Sequence, residues 1–213
     1  MRIGIFDSGI GGEAIATALN KLFPSVQIVS VNDREHVPYG NRQPEEIIQL
    51  TKNAIKPLLD IKCDAIIIAC NTATTIAIST LRLEYPDVNF IGIEPMIKPA
   101  AKITKTKCIA VCATPQTLQS DRYNHLKRIW APDIEIIEPD CSDWAEMIEH
   151  DKSDQIDVNS VVKSLLNRGV DVIVLGCTHY HWIKQRIVDA AGLNITILEP
   201  TDAIAARIKK LVG

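Results

Sequence analysis

Asp64-Ala65-Ile66-Ile67-Ile68-Ala69-Cys70-Asn71-Thr72 and Asp171-Val172-Ile173-Val174-Leu175-Gly176-Cys177-Thr178-His179 are one pattern written twice. Each is an acid, an unbroken aliphatic run, and a cysteine followed by hydrogen-bonding residues. A run with no polar alternation predicts a strand covered on both faces, as in a parallel sheet flanked by helices. Its cysteine then emerges at the carboxyl end, where open α/β sheets bind ligands. A single thiol in that place is ordinarily a small core hydrophobe. Two of them, each leading into residues suited to a helix start, point to chemistry, because apolar packing does not call for Asn, Thr or His beside the sulfur. A pair of thiols suggests proton transfer from two sides.

Working outward, the pattern is alternating strand and helix. Strands are predicted at Arg2 to Phe6, Val26 to Val31, Ala65 to Ala69, Val88 to Ile93, Cys108 to Cys112, Ile134 to Ile137, Val172 to Leu175 and Ile195 to Leu198. Helical spacing marks Glu13 to Leu22, Glu45 to Leu59, Thr74 to Glu84, Leu118 to Trp130, Val158 to Asn167 and Ile183 to Ala190. Pro44 suits a first helical turn, and Gly169 and Gly192 stand where helices should stop. The repeat reaches further: Ile3-Gly4-Ile5-Phe6-Asp7-Ser8-Gly9 and Ile109-Ala110-Val111-Cys112-Ala113-Thr114-Pro115 are both short strands running into polar turns. Two similar α/β lobes follow, with mainly parallel sheets and a boundary between Gly92 and Pro99. Residues 1–93 make the first and 94–195 the second, with 196–213 packing back on the first. An approximate two-fold relation between the lobes would turn both sets of strand ends, with Cys70 and Cys177, toward one cleft.

With 213 residues, 46% of them hydrophobic, the chain can bury a substantial core. A net charge of −3 and a pI near 6.0 give no general attraction to phosphate backbones. No basic cluster interleaved with aromatics is present, so nucleic acid is not the expected partner. The first residues, Met1 to Asp7, do not read as a signal peptide. No apolar run reaches the roughly 18 residues of a membrane span. A cytoplasmic protein with no membrane association is expected. Its six cysteines (Cys63, Cys70, Cys108, Cys112, Cys141 and Cys177) read as free thiols. Cys108 and Cys112 lie within one strand and lack the second pair a zinc site needs; His179 and His181 beside Cys177 could in principle join a metal site, but no further acidic or sulfur ligand is arranged around them in sequence, so no metal is expected.

Asp7-Ser8-Gly9-Ile10-Gly11-Gly12 closes a strand and opens a helix, and its glycines permit a close backbone approach. Their spacing is wrong for a dinucleotide fingerprint, and no phosphate-binding Lys follows. Asp7 reads either as the cap of the next helix or as a carboxylate that directs a proton near Cys70 or holds a substrate ammonium. Val37-Pro38-Tyr39-Gly40-Asn41-Arg42 is a turn after the second strand, where Tyr39 and an exposed Gly40 backbone could grip a carboxylate. Arg34 and Arg42 read as solvated charges. Asn71 and Thr72, with Thr178 and His179, stand at the expected helix starts, where amide donors favour anions and lower a thiol pKa. His179 reads as a satisfied core histidine or as the group that exchanges a proton with Cys177.

Four of these segments together carry a family resemblance: Phe6-Asp7-Ser8-Gly9-Ile10-Gly11-Gly12, Val37 to Arg42, Ala69-Cys70-Asn71-Thr72-Ala73-Thr74 and Gly176-Cys177-Thr178-His179-Tyr180. In their order and spacing the chain resembles the cofactor-independent glutamate racemases of the aspartate/glutamate racemase superfamily, over nearly its whole length. Ile93-Glu94-Pro95 and the stretch from Cys141 to Glu149 are weaker echoes. The resemblance implies two lobes with pseudo-two-fold symmetry and a site between them. It makes Cys70 and Cys177 the acid/base pair, with Asp7 and His179 as thiol partners and Glu149 as a further acid. Ser8, Tyr39, Gly40, Asn71, Thr72, Thr114, Thr117 and Thr178 become substrate-binding candidates. The implied activity is racemisation of glutamate, without cofactor, supplying D-glutamate for peptidoglycan. The implied partner is a small amino acid, and a homodimer is a candidate assembly.

Racemisation independently suits two thiols, because a base on one face alone would tend to restore the starting configuration. The sulfurs must then stay apart and reduced. Three features depart from the family pattern: His181 where Pro usually follows the Tyr, bulky charged residues across Asn32-Asp33-Arg34-Glu35-His36, and a chain that stops at Gly213, soon after Leu198-Glu199-Pro200-Thr201, where relatives continue. Other readings are racemisation of aspartate or another small acid, a two-lobed binding or regulatory protein without turnover, and a thiol hydrolase. The last two give no reason for a pair of symmetric thiols.

Overall fold

The computed structural model describes residues 1–212. The chain divides into two compact units, Met1–Glu94 with the segment from Pro200 onward, and Pro95–Glu199. The first unit begins with β1 (Arg2–Asp7), α1 (Gly11–Leu22), β2 (Gln27–Asn32), α2 (Pro44–Ala54), α3 (Lys56–Asp60), β3 (Ala65–Ile68), α4 (Asn71–Glu84) and β4 (Phe90–Gly92). The second runs through α5 (Ile97–Ile103), β5 (Cys108–Cys112), α6 (Pro115–Gln119), α7 (Asp121–Trp130), β6 (Glu135–Ile137), α8 (Trp144–Glu149), α9 (Val158–Asn167), β7 (Val172–Leu175), α10 (Lys184–Ala191) and β8 (Thr196–Leu198). A last helix, α11 (Thr201–Val212), returns to the first unit.

Each unit holds one four-stranded sheet, ordered β2-β1-β3-β4 and β6-β5-β7-β8, and every pairing is parallel. The two sheets therefore share one topology, which is the structural form of the repeated sequence.

The side-chain period of two explains the unbroken aliphatic run of β3. Ala65 and Ile67 enter a core with Ile3, Ile5, Ile15, Leu19 and the α11 residues Ile204, Ala205 and Ile208. Ile66 and Ile68 enter another, with Phe6, Ile47, Leu58, Ala77 and Leu81. A strand buried on both faces has no position for a polar residue. Ile67 is fully buried, so Ile67→Ala is expected to lower the unfolding free energy by about 3 kcal/mol, the usual scale of a large-to-small core change. Urea denaturation checks this through a lower midpoint at unchanged slope; a loss under about 1 kcal/mol would contradict burial on both faces.

The acid that opens each repeated segment pins the amino-terminal edge of its sheet. Asp64 Oδ2 accepts from the Arg2 amide at 2.6 Å. Asp171 accepts from Thr104 Oγ1 and from the amides of Lys105 and Thr106. Burial alone would raise the Asp171 carboxyl, but these bonds outweigh it and hold the group below its usual value.

Several boundaries differ from the sequence expectation. The segment from residue 196 was expected on the first lobe, but β8 pairs with β7 through Val172↔Thr196, Ile173↔Ile197 and Val174↔Leu198. An unpaired strand would strand a row of amide and carbonyl groups, and the open edge of β7 satisfies them. Only α11 joins the first core. The helix expected over Glu45 to Leu59 is two helices, since Pro57 lacks the amide and its ring clashes with the carbonyl four residues back. The helix expected over Leu118 to Trp130 breaks at Ser120, whose Oγ accepts from the Tyr123 amide and caps α7. Gly169 and Gly192 take positive φ of 79° and 68° behind α9 and α10, as helix ends favour.

Candidate active site

In a sheet ordered 2-1-3-4 the direction of chain progression reverses between the two central strands, and the crevice beyond their carboxyl ends is the place for a ligand. In the first unit that edge carries Asp7 at the end of β1, Ser8 directly after it and Cys70 after β3. In the second it carries Ala113 and Thr114 after β5 and Cys177 after β7.

The first edge is tightly built. Asp7 is buried and its Oδ1 accepts from the Gly9 amide at 2.9 Å, a turn bond; the cap position of α1 is Ile10, not Asp7. Gly12 lets α1 start against that carboxylate, for a Cβ there would lie 2.5 Å from Asp7 Cβ. Cys70 occupies the cap of α4, where its Sγ accepts from the Ala73 amide at 3.4 Å and from Ser8 Oγ at 3.3 Å. Both donors bond more strongly to a thiolate than to a thiol. This cap also explains why α4 begins at Asn71 and not at Thr74.

Asn71 is 2% exposed, and among the described residues neither its Nδ2 nor its Oδ1 has a hydrogen-bond partner. A buried amide in that state costs on the order of 1–3 kcal/mol, which makes its donor and acceptor candidates for pairing with a ligand. Thr74 fixes the frame behind it: its Oγ1 donates to the Ile68 carbonyl at 2.8 Å and accepts from the Ile93 amide at 3.1 Å. Tyr39 is buried and tilted against Phe6, with its hydroxyl donating to Asp33 Oδ2 at 2.6 Å. Burial, the Asp33 bond and the negative charges of Asp33 and Cys70 push that hydroxyl far above the usual phenol value, so it stays a donor.

The second edge pairs its thiol with an imidazole. Cys177 Sγ lies 3.8 Å from His179 Nδ1, and His179 Nε2 lies 2.6 Å from Glu149 Oε1 at the end of α8. The imidazole and carboxylate side chains are 4% and 8% exposed. Gly176 allows the ends of β5 and β7 to close up, since a Cβ there would meet Ala113 Cβ at 2.9 Å and the Cys112 carbonyl at 3.2 Å. Tyr180 donates to the Cys141 carbonyl at 2.9 Å and packs edge-on against Trp144, which anchors the segment that carries His179. A hydrogen bond with Cys112, then burial, raises the Cys141 thiol well above its usual range, so this neighbour stays protonated. Thr114 caps α6, its Oγ1 3.4 Å from the Thr117 amide and 3.1 Å from Thr117 Oγ1.

A family model described as Asp/Glu/hydantoin racemase matches residues 12–208. The chain belongs to the Asp/Glu/hydantoin racemase family. It is 38% identical to the glutamate racemase of Sulfurovum sp. (strain NBC37-1), over 99% of this chain and 82% of that protein. It is 30% identical to a solved glutamate racemase from Aquifex pyrophilus, with a TM-score of 0.77, covering all of this chain and 84% of that one. A glutamate racemase from Francisella tularensis solved in complex with D-glutamate is 29% identical, with a TM-score of 0.81 over 99% of this chain and 80% of its own. The parallel α/β fold expected from the sequence is the fold of these racemases.

In this member of the racemase family, Asp7, Ser8, Tyr39, Gly40, Cys70, Asn71 and Thr72 all belong to the first unit, and Thr114, Thr117, Glu149, Cys177, Thr178 and His179 to the second. Within the units the structure joins Ser8 to Cys70, Thr114 to Thr117, and Cys177 to His179 to Glu149. Gly40 is buried rather than exposed, in a short 3-10 turn over Tyr39–Asn41. Arg42 is not merely solvated: its Nε donates to the His36 carbonyl and its Nη1 pairs with Glu46. An α-helix does not follow Cys177 directly; a 3-10 helix over Thr178–Ile183 buries Thr178, His179, Tyr180 and Ile183 before α10 begins.

Asp33, Cys112, Cys141 and Tyr180 were missed as neighbours of these side chains. Tyr180 carried a signal as the residue completing Gly176-Cys177-Thr178-His179-Tyr180, Cys141 as the start of the stretch to Glu149, and Asp33 as part of a charged stretch. Among the described residues no group of three or more His, Cys, Asp or Glu is placed to hold a metal ion, and no helix is long and apolar enough to cross a membrane.

Proposed function

We propose that this chain interconverts L- and D-glutamate by proton transfer at the α-carbon, with Cys70 and Cys177 as the two bases. The observation that carries the reading is the matched pair of thiols, each at the switch point of a sheet of the same topology and each hydrogen-bonded to a polar partner. The reaction asks for a thiolate on one face of the α-carbon and a thiol on the other. The thiolate takes the α-proton, the electron pair is held by donors aimed at the carboxylate, and the opposite thiol returns a proton. Running from D to L exchanges the two roles.

Within that reading Ser8 and the Ala73 amide hold the Cys70 thiolate, and Asp7 directs its proton. His179, oriented by Glu149, exchanges a proton with Cys177. Asn71 offers a donor and an acceptor to the amino acid, with Tyr39, Gly40, Thr72, Thr114, Thr117 and Thr178 completing the binding surface. No pyridoxal-type group is needed for this route. The same reading makes the product D-glutamate for peptidoglycan, places the protein in the cytoplasm, where its thiols stay reduced, and includes a homodimer, which sedimentation checks.

Incubation with either enantiomer of glutamate in heavy water, with no added cofactor, is expected to erase the circular dichroism signal and to place deuterium at the α-carbon of the product. Aspartate under the same conditions is expected to keep its signal. Loss of signal for aspartate and not for glutamate would overturn the substrate assignment, and exchange with neither would overturn the racemase reading.

A further inference from the structure

Lysines gather along one segment of the second unit, outside the candidate site. Ile97-Lys98-Pro99-Ala100-Ala101-Lys102-Ile103-Thr104-Lys105-Thr106-Lys107 holds four lysines and no acid, in a chain whose net charge is −3. The segment runs from α5 to the start of β5, and all four lysines are exposed. Among the described residues none of the four is in an ion pair. Two acids of the same sheet edge are already engaged. Asp171 is held by Thr104 and the amides of Lys105 and Thr106, and Glu135 by Arg168 at 2.7 Å. Asp133 is an exposed acid in the turn before β6.

The fold adds apolar side chains to this charge. Lys98 Nζ stands 3.9 Å from the centroid of the Trp130 ring, which ties the start of α5 to the end of α7. Trp130 is 39% exposed, its neighbour Ile129 51% and Ile103 of α5 43%. An indole and two aliphatic side chains among lysines and the exposed Arg128 suit the boundary between headgroups and acyl chains, where Trp is favoured and basic residues attract anionic lipid. Nucleic acid fits less well, because Lys98 covers a face of the indole on which a base would stack. At physiological salt, exposed charges more than about 8 Å away are largely screened, so the local lysines outweigh the net charge of the chain. Trp130 reaches the lysines from another helix, so no such surface shows along the sequence. Lys105 and Lys107 precede β5, at the opposite end of that strand from Thr114, and contact there leaves the ligand edge of this sheet open.

We propose that α5, the lysines that follow it and the end of α7 form a docking surface for the anionic headgroups of a phospholipid bilayer. The contact is peripheral: the lysines meet phosphate, and Trp130, Ile103 and Ile129 enter the headgroup layer. This surface goes beyond the racemase reading and does not depend on it.

Co-sedimentation of the whole chain with vesicles tests it, using phosphatidylcholine alone or an equal mixture with phosphatidylglycerol. Binding is expected to the mixture only, and to be lost at high salt. Lys102→Glu/Lys105→Glu is expected to weaken it at least about tenfold, and the neutral pair Lys102→Gln/Lys105→Gln, which adds no charge beside Asp171, at least about fivefold. Trp130→Ser is expected to cost roughly threefold. Lys21→Glu/Lys163→Glu makes the same change in net charge on α1 and α9 and is expected to bind as the wild type does. Thermal melting close to the wild type shows that each variant is folded. Equal binding to both vesicles, no sedimentation with the mixture, or an equal loss in the Lys21/Lys163 pair would overturn the proposal. So would release from the mixed vesicles by double-stranded DNA at matched phosphate concentration, which would mark the surface as one for nucleic acid.

Discussion

Cys70→Ala and Cys177→Ala are each expected to lower racemisation by at least about 10³-fold, toward the upper end of what one positioned acid or base contributes. Neither change should unfold the protein. Both residues lie just past a strand at the ligand edge, and alanine fills most of the same volume, so thermal melting is expected to stay close to the wild type. The sharper result concerns exchange without inversion. A variant with one remaining thiol keeps a base on one face, so in heavy water it can exchange the α-proton of one enantiomer and return deuterium to the same face. Cys70→Ala and Cys177→Ala should therefore favour opposite enantiomers, measured as α-deuterium by mass spectrometry. The same enantiomer exchanging in both variants would mean that the thiols do not serve opposite faces. Unimpaired racemisation in either would remove that cysteine from the chemistry.

The second large effect is expected from Glu149→Gln, at about 10²-fold in kcat with KM far less affected. A carboxylate 2.6 Å from His179 Nε2 keeps a proton on that nitrogen, so Nδ1 is left to exchange a proton with Cys177. Glutamine has nearly the same shape but no charge, and its amide can face Nε2 with a donor, which favours the opposite tautomer. The imidazolium formed when His179 takes the thiol proton also loses its counter-charge in a buried setting. Glu149→Ala adds a stability cost of about 1–3 kcal/mol, since it leaves the buried Nε2–H of His179 without its acceptor. A Gln variant with wild-type kcat would show that Glu149 serves packing alone.

Legibility in the sequence varied with the range over which each constraint acts. The β3 and β7 runs were readable because burial on both faces removes polar positions along a single segment, which is a local signature. Cys70 and Cys177 could be placed at strand ends for the same reason. Asn71 was identifiable as a helix-start residue, though its lack of partners was not, because satisfaction of an amide depends on everything packed around it. Glu149 entered only through the family resemblance. Its helix α8 has six residues, too few to show a period, and its contact with His179 joins positions thirty apart. Asp33 was noticed as part of a charged stretch, but nothing local told that its oxygens would be shared between Tyr39 and His36. The breaks at Pro57 and Ser120 were readable in principle, one from the ring that blocks a helical bond and the other from a capping hydroxyl, yet the apolar period ran across both.

The first unit is written in two pieces, Met1–Glu94 and the stretch from Pro200, with the whole of the second unit inserted between them. Ile204, Ala205 and Ile208 complete the same core as Ile15 and Leu19. On the ribosome, the inserted half has all its strands translated before the α11 residues that complete the core of α1 and β1 have been made. Cotranslational maturation thus runs out of sequence order: the domain begun first is the one sealed last, by its returning amphipathic helix.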